Sequence, residues 1–261
     1  MTGKYIHMKH LSLERYDLVL FDLDDTLFDH SAAYKRGVYE TIRQFPILEE
    51  LDQFEFLRTF SNHNHRLWPG FSSNELSFQE FSIMRMENTL ADFNISVTDT
   101  VTKQIVKTFQ ATYLLSIKPN IEVKMFLNDL MEKVMIGIVT NGTAFNAYGK
   151  IECLELSDIF PESSVTISER IGYSKPHEEI FQHALDVFNS EAKRTLFIGD
   201  NYFTDILGAD SIGMDTVWIN RYDYEIPKEV HPAYTIKHVL DLHELIIQGE
   251  GKARYDKTIT D

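Results

Sequence analysis

Five short runs of apolar residues, each breaking off into polar or small residues, constrain this chain more than any other feature. Leu18-Val19-Leu20-Phe21 leads straight into Asp22. The run from Val134 to Val139 leads into Thr140-Asn141-Gly142, and the run from Thr195 to Ile198 into Gly199-Asp200. Val165-Thr166-Ile167 and Thr216-Val217-Trp218-Ile219 are lesser runs of the same kind. Runs this short, apolar at successive positions, suit strands covered on both faces, as in a parallel sheet.

Helical patterns lie between them. Ile121 to Lys133 places Val123, Phe126, Leu127 and Leu130 on one stripe. Pro176 to Phe188 opens with the residue favoured in a first turn and turns Ile180, Phe181, Ala184, Leu185 and Phe188 inward. Thr204 to Ile212 is stopped by Gly213, and Val239 to Ile247 is a last amphipathic segment. Alternating strand and helix predict an α/β fold with a mostly parallel sheet. From Ser31 to Ile117 the rhythm breaks: the pattern is helical, rich in aromatic residues and without a convincing buried strand. A helical segment inserted after the first strand reads as a second, smaller domain, with the return to the core near Pro119. The polar residues 251–261 read as a frayed tail.

In an open parallel sheet, ligands bind in the crevice at the carboxyl ends of the strands. Asp22 and Asp24, Thr140 and Asn141, and Asp200 all fall at such ends, so the topology would gather residues distant in sequence. Carboxylates packed together form a hard, all-oxygen cluster suited to Mg²⁺. With the metal present, one carboxylate is free to attack phosphorus and another to move the proton of the leaving alcohol. The hydroxyl and amide of Thr140 and Asn141, with a lysine, could hold the transferring oxygens. Lys175, in Tyr173-Ser174-Lys175-Pro176, is the candidate, and a helix opening at Pro176 would set it at an anion-favouring N-terminus. Each feature alone has a plainer reading as a turn or a solvated strand exit. Their order, each at an element boundary, argues for a site. The 25 basic and 40 acidic residues, a net charge of −15, disfavour nucleic acid and anionic membrane and make a local cation necessary for an anionic substrate.

These residues resemble the four motifs of the haloacid dehalogenase superfamily, in its subfamily I with a helical cap. The motifs are Asp22-Leu23-Asp24-Asp25-Thr26, Thr140 in Val139-Thr140-Asn141-Gly142, Lys175-Pro176, and Gly199-Asp200 through Asp205. The resemblance implies a three-layer, Rossmann-like core over residues 1–30 and 118–250, with an all-helical cap over 31–117. It implies that Asp22 is the nucleophile and a Mg²⁺ ligand. Asp24 would be the acid/base, lending its backbone carbonyl to the metal. Thr140, Asn141 and Lys175 would bind phosphate, Asp200 would be a metal ligand, and Thr26 and Asp205 would support the loops. Asp25 and Asp29 need only solvated or capping roles. Asp24, which dehalogenating members lack, favours phosphate ester chemistry.

The stretches Asn62 to Trp68 and Glu75 to Phe78, with Ile136 to Gly142 and Ile171 to Phe181, look like the pyrimidine 5′-nucleotidase branch. On that resemblance the substrate is a small phosphorylated metabolite, a nucleoside 5′-monophosphate in particular. The alternatives are a sugar-phosphate or phosphoglycolate phosphatase, a phosphomutase, and, from another class, a non-catalytic binding protein. Trp68 or Phe71 could stack on a base, while most aromatic residues of the segment are expected to pack its own core. His63 and His65 read as surface residues, and the single Cys153 as a buried, inert thiol. No apolar stretch is long enough for a membrane span and the start lacks a secretory pattern, so the expected compartment is the cytoplasm.

Overall fold

The computed structural model describes residues 11–73, 75–225 and 231–246. The expected tail at 251–261 and the end of the last helix at Ile247 lie outside them. Six strands form one parallel sheet: β1 (Leu18–Phe21), β2 (Met135–Thr140), β3 (Val165–Ile167), β4 (Thr195–Gly199), β5 (Asp215–Ile219) and β6 (Tyr234–Ile236). Their order is β3-β2-β1-β4-β5-β6, and every pairing is parallel. The expected α/β parallel-sheet core is what the chain forms. β6 was not foreseen: its three residues are short and partly exposed, so they lack the apolar run that marks the other strands.

β1 is buried along its whole length because both faces of the sheet are covered. Val19 and Phe21 point into one apolar cluster with Ile138, Ile198 and Val217. Leu18 and Leu20 point into another with Phe197, Ile180, Phe181 and Ala209. This alternation is the period of two of a strand, and it makes the core three layers deep. Helices flank it: α6 (Ile121–Met131), α7 (Ala144–Cys153), the short α8 (Ser168–Ile171), α9 (Glu178–Phe188) and α10 (Leu207–Ser211). Residues 241–246 are helical as well.

Between β1 and α6 run α1 (His30–Gln44), the short α2 (Pro46–Glu49), α3 (Gln53–Ser72), α4 (Phe78–Asp92) and α5 (Asp99–Ser116). Side-chain oxygens of Asp29, Asp52, Ser77 and Thr98 cap α1, α3, α4 and α5, each accepting a backbone N–H of the first turn. Tyr34, Phe56, Phe60 and Phe109 stack and abut through these helices with ring centroids 5.0–6.2 Å apart. His63, expected at the surface, is instead buried, because its position on α3 faces inward and its Nε2 meets Asp92 at 2.8 Å. His65, two residues on, is exposed. Cys153 is half-buried rather than buried, at the last turn of α7, and desolvation raises its pKa.

The helix expected to open at Pro176 opens at Glu178. The Ser174 carbonyl accepts the His177 N–H at 2.9 Å, closing a turn through Lys175 and Pro176. Lys175 therefore belongs to a turn and not to a helix mouth. The helix before Gly213 begins as a wide turn over Tyr202–Ile206 and tightens into α10. Gly213 ends it with φ +88°, the left-handed conformation glycine adopts without a Cβ clash.

Phe181 of α9 lies edge-on to Phe197 of β4, ring centroids 5.2 Å apart, and both are fully buried. Phe181→Ala is expected to lower unfolding free energy by about 3–5 kcal/mol, read from the urea midpoint. A loss below about 1 kcal/mol would mean that the helix layer is not anchored there.

Candidate active site

β1 and β4 are neighbours, and the strand order turns between them, which is where such a sheet opens a crevice. Asp22 and Asp200 are the first residues past these two strands. Their carboxylates and that of Asp205 offer oxygens all within 4.8 Å of one another. Such a group repels itself, and the structure answers with one cation. The Lys175 ammonium, 4 % exposed, lies 2.6 Å from Asp22 Oδ1 and 2.8 Å from Asp205 Oδ1. Burial pulls its pKa down, but Asp205 and Asp22 favour the charged form more strongly, and the net shift is upward.

Asp205 is fixed from several sides. It accepts the Asn201 N–H at 3.1 Å and sits so close to Gly199 that a Cβ there would meet its Oδ2 at 2.4 Å. Only glycine admits that approach. With its oxygens on Lys175 and Asn201, Asp205 supports the loop. The pKa of Asp22 is pushed up to about 7, by burial first and by Asp205 and Asp24 besides, against the pull of Lys175. The pKa of Asp200 is pushed up to about 8, by burial and then by Asp22 and Asp205. Two hard carboxylates, each raised partly by its neighbours, fit a small divalent cation, whose charge would relieve both.

Asp24 is turned elsewhere. Its carboxylate accepts two bonds from Lys150 Nζ, at 2.8 and 2.6 Å, and lies 3.6 Å from His30 Nδ1. Burial would raise its pKa, but Lys150 and then His30 more than offset this, and the net shift is downward. The same Nδ1 meets the Tyr113 hydroxyl at 2.8 Å, so α1 reaches this acid directly and α5 through the imidazole. Two neighbouring aspartates thus have opposite surroundings and opposite shifts.

Thr140 ends β2, one strand over from Asp22, and is 2 % exposed. Asn141 grips the backbone of Lys175: its Oδ1 accepts the Lys175 N–H at 2.8 Å and its Nδ2 donates to the Lys175 carbonyl at 3.0 Å. The side chain of Asn141 therefore positions the lysine. Thr26 is buried, and its hydroxyl has no hydrogen-bond partner among the described residues. Asp25 accepts the Ser31 N–H and hydroxyl at 3.1 and 2.8 Å, and Asp29 pairs with Arg221 at 3.2 Å.

Beside Asp24 and Thr140 opens a cavity of about 390 Å³, walled on the far side by α1, α3, α4 and α5. Trp68, Phe71 and Phe81 line it as one aromatic cluster, with Trp68–Phe71 and Phe71–Phe81 centroids 5.4 and 5.2 Å apart. Lys150, His30, Tyr113 and Arg85 escaped the sequence reading. Lys150 left a signal: Ala147, Lys150, Ile151 and Leu154 make an inward stripe at helical spacing, and a lysine in such a stripe needs a partner.

A crevice of acids at strand ends, with buried lysines paired to them, defines a hydrolase-type site in an α/β core. The chain belongs to the haloacid dehalogenase-like hydrolase family, whose model matches residues 19–219. It is 25% identical over 233 residues to the pyrimidine 5′-nucleotidase YjjG of Escherichia coli K12, covering 89% of this chain and 98% of that one. It is 29% identical over 247 residues to a glyceraldehyde 3-phosphate phosphatase of Pyrococcus furiosus, covering 92% and 96%. Among solved structures, the HAD-hydrolase YfnB of Bacillus subtilis, bound to magnesium, superposes with a TM-score of 0.73 at 23% identity, covering 89% and 99%. Among the described residues no helix is long and apolar enough to cross a membrane.

Removing Lys175 leaves Asp22 and Asp205 buried without their cation, which typically costs about 3–5 kcal/mol. Lys175→Met is expected to lose stability of that order in EDTA. The sign with pH follows from the raised pKa of Asp22, which the substitution raises further. A carboxyl that binds its proton more tightly when folded stabilises at low pH and loses that contribution as pH rises. The loss should therefore be larger at pH 8 than at pH 5, and equal losses at both would overturn this account of the lysine.

Proposed function

We propose that the chain is a Mg²⁺-dependent phosphomonoester hydrolase working through an aspartyl-phosphate on Asp22. The observation that carries this is the division between the two aspartates of one loop: Asp22 deep against Lys175, Asp24 turned to the cavity against Lys150 and His30. A nucleophile must be ionised and a proton carrier protonated, and the charge of Mg²⁺ at Asp22 and of a phosphoryl group beside Asp24 would move each from its present shift in that direction. Asp22, Asp200 and the backbone carbonyl of Asp24 would hold the metal, with the 31–117 segment as cap. Bound there, Mg²⁺ supplies charge that lets an anionic phosphate approach carboxylates.

Asp22 then forms a bond to phosphorus as the bond to the leaving oxygen breaks. Lys175 and Thr140 hold the transferring oxygens, and Asp24 delivers the proton the leaving alcohol needs. In the second half, Asp24 takes a proton from water while the water oxygen bonds to phosphorus, freeing Asp22 and inorganic phosphate. The negative charge of the phosphoryl group opposes Lys150 and His30 at Asp24, which favours proton uptake with substrate.

The substrate class favoured is the nucleoside 5′-monophosphates. The aromatic wall of Trp68, Phe71 and Phe81 and the likeness to YjjG support it. Sugar phosphates are the second reading, favoured by the likeness to the Pyrococcus enzyme. The protein acts in the cytoplasm on this reading.

Two measurements test it. Released phosphate from a panel of phosphate esters should require Mg²⁺, vanish in EDTA and vanish in Asp22→Asn; activity surviving either change defeats the mechanism. Lys150→Met removes the strongest pull lowering the pKa of Asp24, so the limb of the kcat/KM profile belonging to Asp24 should move to higher pH. A profile that stays in place would take the proton-carrier role away from Asp24.

A further inference from the structure

Arg85 of α4 is a buried cation whose charge the described residues leave unanswered. It is 5 % exposed, yet it lines the cavity, and among the described residues it enters no ion pair. The other buried cations of the site are matched, Lys175 by Asp22 and Asp205, Lys150 by Asp24. Arg85 has only neutral company. Its guanidinium carbon lies 4.3, 5.1 and 5.3 Å from the ring centroids of Phe60, Phe81 and Phe109, and Nη1 donates to Asn64 Oδ1 at 2.5 Å.

Rings answer part of the charge, through the electrons of their faces. They do not satisfy the in-plane N–H donors, and among the described residues Arg85 Nε has no hydrogen-bond partner. The Tyr34 hydroxyl, on the same cavity, lies beside the guanidinium and makes no well-formed hydrogen bond either. An unpartnered donor on a buried charge costs more than one on a neutral group, and guanidinium stays protonated even when burial works against it. The cavity therefore has two poles: Asp24 and Thr140 at the strand ends with Lys150 beside them, and a second, cationic pole in the helical wall.

We propose that Arg85, with Tyr34 beside it, is a specificity-determining residue that binds a carboxylate at the end of the substrate remote from its phosphate. This rests on the phosphatase reading and sharpens it, from phosphate esters in general to phosphorylated acids. A guanidinium fork and a carboxylate match in plane and in charge, which a neutral carbonyl does not. The carboxylate can come from a phosphorylated sugar acid or from a nucleotide with a carboxylated base. The second source also meets the aromatic wall.

Matched pairs of esters test it: 6-phosphogluconate against glucose 6-phosphate, and orotidine against uridine 5′-monophosphate. The wild-type enzyme with Mg²⁺ is expected to favour the carboxylate member of at least one pair in kcat/KM by about ten- to a hundredfold, what a hydrogen bond to a charged group is worth. Which pair responds identifies the source. Arg85→Met should bring that ratio towards one through KM more than kcat, and Arg85→Lys should retain part of it. Should Arg85→Met fail to fold, Tyr34→Phe, which removes only a hydroxyl, should lower the same ratio. Calorimetric binding of each pair to Asp22→Asn reads the preference without turnover. A wild type that does not discriminate within either pair, or a ratio that survives Arg85→Met, overturns the proposal. Absence of turnover with a binding preference intact would instead count against the phosphatase reading alone.

Discussion

One ammonium group holds the site together. Asp22, Asp200 and Asp205 come from two loops on adjacent strands, and no loop would bring three carboxylates so close without a counter-charge. Lys175, supplied by a third segment of the chain, bonds two of them from a position closed to water. Much of the surrounding architecture keeps it there. Asn141 grips its backbone, Gly199 makes room for Asp205, and the ring of Phe197 lies 5.5 Å beneath its nitrogen.

The parallel sheet makes that convergence possible. Strands that all run one way deliver their exits to one edge, so β1, β2 and β4 present Asp22, Thr140 and Asp200 along a single crevice. The helices between β1 and α6 then lie over this edge and contribute groups of a different kind. The core offers acids and a lysine; the helical wall offers rings, an arginine and a tyrosine. On the proposed function, chemistry and recognition would fall to different parts of the chain. His30, itself bonded to Tyr113, is where the helical part meets Asp24.

What could be read from the sequence follows from how local each signal is. The strands β1, β2 and β4 declare themselves through unbroken apolar runs, and Asp22, Thr140 and Asp200 are legible as the residues that end them. Asp205 is legible through the resemblance in motif order, and Lys175 through the proline beside it, although nothing at Lys175-Pro176 alone marks a buried ion pair. The helix placed at Pro176 was misjudged because a proline that suits a first turn suits a tight turn equally well. The partners of Lys150, His30 and Arg85 come from segments dozens of residues away, which periodicity does not report even where, as at Lys150, it marks a residue as inward-facing. β6 is too short and too exposed to carry a pattern of its own.

The Asn141–Lys175 clasp has a consequence beyond holding a side chain. Its two hydrogen bonds tie the exit of β2 to the turn carrying the lysine, so the groups proposed to receive phosphate are assembled before any ligand arrives. A receptacle already in its final shape cannot distinguish the phosphoryl group of an incoming ester from the inorganic phosphate left behind at the end of a cycle. On the proposed chemistry, product would then compete with substrate at that pole. Only the grip on the remainder of the molecule, made by the helical wall, would give the ester its advantage.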